Sequence, residues 1–343
     1  MPSVKNILVA AASAVVVAAS PVTPPSPLIA PEDVPVNEFS YSVANGGPFL
    51  NNLAQAAGKL WFGTAADVPG PEQQDLEYMT ILNNTKIFGQ ITPANYMKWM
   101  YTEPERNNFS YTGGDVSVNI AEDHGKYLRC HNLNWNAEVG QWVLDLVASG
   151  VSNNTMVKIL QNHISNVVGH WGGRCFSWDV VNEAFSGTGG WDTTNPFYQV
   201  IGPAFFPISF QAAEKAVKKT KANIQLVYND YGIETAGARG TAAINALRDL
   251  KNRGIQVDGV GFESHFEVGS SPTIAQLVSQ MKAFIALDLD VYITELDIRF
   301  VNVTSQTTPG GYAQQAQDYY NVVSACMQVD RCRGITVWDF VDK

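Results

Sequence analysis

The sequence predicts a single α/β domain of the (β/α)8 barrel class, on three observations. Short apolar runs alternate with amphipathic helical stretches along the chain, the runs number eight, and polar side chains gather where the runs end. The candidate strands are 60–65, 87–91, 127–131, 175–182, 224–229, 259–263, 291–296 and 334–339. Their starts lie about 27 to 49 residues apart, room for a strand, a crossover helix and two loops. Amphipathic segments at 154–168, 209–222, 240–253, 273–287 and 311–328 fill the intervals. Such alternation gives a parallel sheet, and eight repeats close it into a barrel. The competing arrangement is an open doubly wound sheet, but no glycine-rich nucleotide fingerprint follows the first strand.

The chain has 343 residues, of which 45% are apolar and 16% charged, enough for one large core. A net charge of −10 leaves no basic stripe to neutralise phosphates, which argues against a nucleic-acid partner. A neutral polysaccharide makes no such demand.

Ahead of the first strand, Lys5 precedes an apolar run at 7–19 that ends in small residues, the pattern of a signal peptide over 1–20. That run is shorter than the roughly 20 residues needed to span a bilayer, so no membrane partner is expected. A proline-rich linker at 21–45 follows, and the barrel occupies 46–343. Sequons at Asn83, Asn108, Asn153 and Asn302 agree with a secreted, extracellular glycoprotein. The expected state is a monomer.

Of the four cysteines, Cys326 and Cys332 bracket a turn and are expected to pair. Cys130 falls near the end of one candidate strand and Cys175 near the start of the next, so they are expected at opposite ends of the barrel as buried free thiols. No spacing resembles a zinc site, and neither metal nor cofactor is expected.

In a barrel, strand ends converge on the C-terminal rim, where active sites are built. The residues arriving there are Asn95 and Lys98, then His131 and Trp135, Asn182 and Glu183, Asn229 and Asp230, Glu263 and His265, Glu295 and Asp297, and Trp338 and Asp339. His124, His163 and His170 fall in helices or loops and are read as non-catalytic. Glu183 and Glu295 end the fourth and seventh strands and so face each other across the mouth. Two facing carboxyls are what metal-free glycoside hydrolysis requires, one protonated to release the leaving oxygen and one ionised. Which is which depends on relative desolvation and neighbouring charge.

WDVVNEA (178–184) and ITELDI (293–298) resemble the acid/base and nucleophile strands of glycoside hydrolase family 10. ITPANYMKW (91–99), RCHNLNW (129–135), NDY (229–231), VDGVGFESH (257–265) and GITVWDFVDK (334–343) match in family order, from about Phe62 to the last residue. The resemblance implies a secreted retaining enzyme with Glu183 as acid/base and Glu295 as nucleophile. Asn182 would hold a sugar 2-hydroxyl, His265 would bond Glu295, and Asp297 would orient His265. Lys98, His131, Trp135 and Asn95 would line the glycone side, and Trp338 would be a sugar platform. Endo-β-1,4-xylan hydrolysis is the implied activity; a smaller branch of secreted fungal members removes the oligosaccharide of saponins such as tomatine.

Four departures from the family pattern matter. Ala94 replaces a glutamate that binds the second glycone sugar, and the lost bond to a charged group could cost ~1.5–3 kcal/mol. Asn136–Ala137–Glu138 replaces His-Ser-Gln, Glu263 replaces a sugar-contacting glutamine, and Asp339 replaces a glycine. The chain ends at Lys343, where the family pattern continues with a second tryptophan and a final helix. The expectation is a barrel lacking that helix, with the outer faces of its first and last strands uncovered. An inactive sugar-binding barrel is therefore a third reading beside xylanase and saponin glycosidase.

Overall fold

The computed structural model describes residues 48–341, so the expected leader and the whole of the expected linker lie outside the described residues. Its elements are α1 Leu50–Ala56, β1 Trp61–Ala66, α2 Leu76–Asn83, β2 Gln90–Pro93, α3 Trp99–Thr102, α4 Thr112–Asp123 and β3 Tyr127–Cys130. Next come α5 Gln141–Ala148, α6 Asn153–Trp171, β4 Ser177–Asn182, α7 Pro196–Ile201, α8 Phe205–Thr220 and β5 Gln225–Asp230. The remainder is α9 Ala238–Asn252, β6 Gly259–Phe262, β7 His265–Glu267, α10 Ile274–Ile285, β8 Asp290–Arg299, α11 Val303–Gln306, α12 Pro309–Met327 and β9 Cys332–Val337.

Eight strands, in the order β1–β2–β3–β4–β5–β6–β8–β9, pair in parallel. The cylinder closes where β9 pairs with β1, Gly334 beside Trp61. The predicted (β/α)8 barrel is the observed fold. β7 is an addition to the eight. It resumes after a left-handed Ser264 (φ 62°) and pairs with the upper half of β8, His265 beside Asp297. The candidate strand at 259–263 stops just short of it.

Each layer follows from its sequence. β4 is buried at all six positions because one face meets the barrel interior and the other the helices. Residues 156, 159, 160, 163, 164, 167, 168 and 171 of α6 are buried, the helical spacing of one apolar stripe. Ser152 caps its start by accepting from the Thr155 amide, and Gly172 (φ 52°) ends it. At the bottom of the barrel, Trp61 stacks on Tyr292 with ring centroids 5.7 Å apart. A Cβ at Gly334 would lie 2.4 Å from the Trp61 ring, so β9 can approach β1 only as glycine.

Two expectations are corrected. β1 and β9 are buried except at Phe62, Arg333 and Val337. α1 packs on β1, and Phe340 stacks on Tyr78 at 4.5 Å. Cys130 and Cys175 are joined in a disulfide with Cα atoms 5.8 Å apart, and no described cysteine is free. β3 is only four residues long, and β4 begins at Ser177 rather than Cys175. The register sets Arg129 and Cys130, the end of β3, beside Ser177 and Trp178, the start of β4, so Cys175 lies near the end of β3 instead of at the far end of the barrel. The Cys326–Cys332 disulfide forms as expected, with Cα atoms 5.3 Å apart.

Thiol titration of denatured, unreduced protein should therefore find no free thiol; two would restore the sequence-based expectation. Replacing Cys130 and Cys175 with serine opens a loop spanning 45 residues of sequence separation, which the chain-entropy argument values at up to about 4 kcal/mol. Denaturant unfolding of the double variant measures that loss.

Candidate active site

Strand ends carry the polar residues into one cavity of about 360 Å³. Lys98, His131, Trp135, Asn182, Glu183, Tyr231, Glu263, His265, Glu295 and Trp338 line it. Asn95 and Asp297 stand behind this wall. Asn95 accepts from Lys98 at 3.0 Å and donates to Asp67 at 2.8 Å, and Asp297 meets His265 Nδ1 at 2.8 Å.

Glu295 is 5% exposed, yet its carboxylate is surrounded by donors. Arg129 Nη2 and Asn229 Nδ2 each reach Oε1 at 2.9 Å, and His265 Nε2 lies 3.3 Å from Oε2. Burial by itself would raise its pKa; the His265 bond and the Arg129 charge outweigh burial and hold it well below the ordinary carboxylate range. Arg129 is buried too and is shared with Asp179 at 2.7 Å, which also meets His131 Nδ1 at 2.8 Å.

Glu183 follows β4 in a left-handed conformation, φ 53°. Asn182 donates to its Oε1 at 3.1 Å. Burial raises its pKa, and the negative charge of Glu295 adds to the rise. The two carboxyls are thus driven in opposite directions, one toward holding a proton and one toward losing it. Such a divergence marks an acid and its ionised partner.

Glu263 turns into the cavity beside them. Asn229 donates to its Oε1 at 3.0 Å, and His265 Nε2 lies 3.7 Å from Oε2. Burial and the neighbouring Glu295 charge push its pKa well above the ordinary range. His265 responds oppositely. Burial disfavours its charge, but the bonds to Asp297 and Glu295 prevail and its pKa rises to about 10. Glu263, His265 and Glu295 each place one ligand atom within 4.8 Å of the others. Within this trio, His265 is hydrogen-bonded to Glu295 through Nε2 and to Asp297 through Nδ1.

On the opposite wall, Lys98 bonds Glu138 at 2.7 Å and lies 5.1 Å from the Trp135 ring centroid. Ala94 is buried and leaves that ion pair to Glu138. Trp338 borders the cavity edge-on to His131, with centroids 5.7 Å apart. Asp339 takes the left-handed conformation that glycine favours, φ 70°, and its carboxylate accepts from the Phe340 amide at 2.7 Å.

Sequence reasoning brought Asn229 to the rim without giving it a role, and missed Arg129 and Tyr231 as site residues. Arg129 and Asn229 lie within strands, where polarity in an apolar run was the only signal. A buried strand arginine needs an anion, and both glutamates at the mouth were candidates. Tyr231 follows Asp230 on the rim, and its signals were that position and its place in the NDY motif. His124, His163 and His170 do not line the cavity; His163 is buried against Trp99, ring centroids 3.5 Å apart.

Residues 49–343 match the glycosyl hydrolase family 10 profile. The chain is similar to endo-1,4-beta-xylanase D of Talaromyces funiculosus, 44% identical over 86% of this chain and 69% of that one. It is 40% identical to the endo-1,4-beta-xylanase of Agaricus bisporus over 86% of this chain and 84% of that one. A solved family 10 xylanase from a Bispora species, crystallised with xylobiose, superposes with a TM-score of 0.82 at 49% identity, covering 85% and 87% of the two chains. The chain belongs to glycosyl hydrolase family 10.

Proposed function

We propose that this chain is a secreted, monomeric endo-β-1,4-xylanase that cleaves xylan by double displacement. One observation carries the reading: two carboxyls in one cavity, with opposed titration, at the ends of the fourth and seventh barrel strands. The xylanase relatives supply the substrate class. No described helix is long and apolar enough to cross a membrane, and Asn108, Asn153 and Asn302 are exposed, in keeping with export and glycosylation.

In this reading Glu295 attacks the anomeric carbon while Glu183 gives its proton to the departing oxygen. Glycosylation consumes the negative charge on Glu295, which lowers the pKa of Glu183 and prepares it to take a proton from the incoming water. Asn182 holds the 2-hydroxyl, while His265, oriented by Asp297, keeps Glu295 ionised. Lys98, Asn95, His131 and Trp135 receive the glycone, and Trp338 offers it an apolar face. Protonated Glu263 serves as a hydrogen-bond donor to the same sugar. A second reading, removal of the oligosaccharide from a saponin, draws on Ala94 and the Lys98–Glu138 pair, which alter the wall where sugar identity is read. Release of reducing sugar from xylan supports the first; release of aglycone from tomatine without xylan hydrolysis supports the second. Activity on neither favours the sugar-binding barrel.

Glu295→Ala should reduce turnover to near background, and azide should restore it with inverted anomeric configuration by filling the vacated side. A variant that keeps a substantial fraction of activity would remove Glu295 from the nucleophile's place.

Glu263→Gln should extend activity toward neutral pH. Wild-type Glu263 is neutral below its raised pKa; above it, the donor is lost and a second negative charge arises beside Glu295. Stability follows the same sign. The penalty for burying Glu263 is absent below its unfolded pKa of about 4.3 and grows as pH rises toward the folded value. Glu263→Gln should therefore gain thermal stability over wild type between acid and neutral pH. Superimposable alkaline limbs in the two pH–rate profiles would make Glu263 a bystander.

A further inference from the structure

Behind Glu183 lie three residues that the chemistry above does not use. Tyr228 and Asp230 on β5 are fully buried, and Arg239 on α9 is 8% exposed. The Tyr228 hydroxyl accepts from the Ala184 amide at 3.2 Å and donates to Asp230 Oδ2. Arg239 Nη1 donates to the other Asp230 oxygen at 3.3 Å and to the Tyr231 carbonyl at 3.1 Å. Its guanidinium lies 3.8 Å from the centroid of the Tyr231 ring.

The chain at this point needs holding. Glu183 sits at φ 53°, a region that residues with a side chain avoid unless their surroundings enforce it. Its two flanking peptides are fixed separately. The Glu183 amide donates to the Asn229 carbonyl at 2.9 Å, a bond between backbones that needs no particular side chain. The following amide, that of Ala184, depends on one hydroxyl. We infer that Tyr228, braced by Asp230 and Arg239, is the positioning residue that keeps the acid/base Glu183 aimed at the leaving-group oxygen. This rests on the reading of Glu183 as acid/base. The competing account is packing alone, since the Tyr228 ring also meets Phe206 and Phe185 edge-on at 5.5 and 6.0 Å.

Leaving-group dependence separates the two accounts. Departure of a dinitrophenolate needs no proton, whereas departure of a phenolate does, so a misplaced acid slows only the second. The measurement is kcat/KM on phenyl and dinitrophenyl β-xylobiosides for wild type, Tyr228→Phe and Glu183→Ala. General acid catalysis contributes ~10²–10⁴-fold, so partial misplacement in Tyr228→Phe should cost roughly tenfold or more on the phenyl substrate and less than about threefold on the dinitrophenyl one. Glu183→Ala should show the same pattern more steeply. Equal losses on both substrates in Tyr228→Phe, or none, beside a steep Glu183→Ala, would overturn the inference and leave the acid/base reading standing. A flat Glu183→Ala would overturn that reading and this inference with it. Should Tyr228→Phe show no cooperative thermal transition, the near-isosteric Asp230→Asn carries the test: selective loss on the phenyl substrate supports the brace, and parallel loss or none overturns it.

Discussion

The buried negative charge of Glu295 is the constraint on which the rest of the site depends. A carboxylate taken out of water is costly unless nearby groups replace its hydration. Here the replacement comes from three different strands. Arg129 reaches it from β3, Asn229 from β5 and His265 from β7, each within 3.3 Å. Those donors are themselves fixed, Arg129 by Asp179, Asn229 by Thr294 at 2.7 Å and His265 by Asp297. Removing one of these donors leaves charge uncompensated in a low-dielectric interior, so the barrel wall and the site form one hydrogen-bonded unit.

This arrangement explains why two glutamates of identical chemistry behave differently. At Glu183 burial outweighs the lowering effect of the Trp135 hydrogen bond, and the charge of Glu295 adds to the rise. Glu263 is more deeply enclosed, and after burial the Glu295 charge is the largest cause of its raised pKa. With three carboxyls sharing one cavity, the site settles with one ionised and the others inclined to keep protons, and their titrations belong to the cluster rather than to single residues.

The rim is also where the backbone is strained. Glu138, Glu183, Ser264 and Asp339 all have positive φ, from 49° to 70°. Each follows the end of a strand or lies in a rim loop, where the chain must turn its side chain over the barrel mouth. The left-handed region costs a non-glycine residue roughly 1–2 kcal/mol, and such costs persist where surrounding bonds over-determine the conformation. Asp339 reduces its cost through its own side chain, and Ser264 through its amide, which donates to buried Glu234 at 2.9 Å.

The sequence by itself determined the barrel, since alternation of apolar runs and amphipathic stretches is a local, periodic signal and eight repeats admit few arrangements. It also determined which polar residues reach the mouth, because a side chain at a strand's C-terminal end has nowhere else to go. Glu183, Glu295, His265 and Lys98 were legible for that reason. Tertiary structure alone decided what depended on register and on distances between separate strands. The stagger that pairs the end of β3 with the start of β4, Cys130 beside Trp178, brought Cys175 next to Cys130 instead of a barrel length away. The roles of Arg129, Asn229 and Tyr228 were hidden because they lie in what faces these side chains across the barrel, and periodicity along one strand carries no information about its neighbour's side chains. The assignment of ionised and protonated carboxyls was hidden likewise: it is set by how many donors each one meets, and those donors come from positions as far as 166 residues away in the chain.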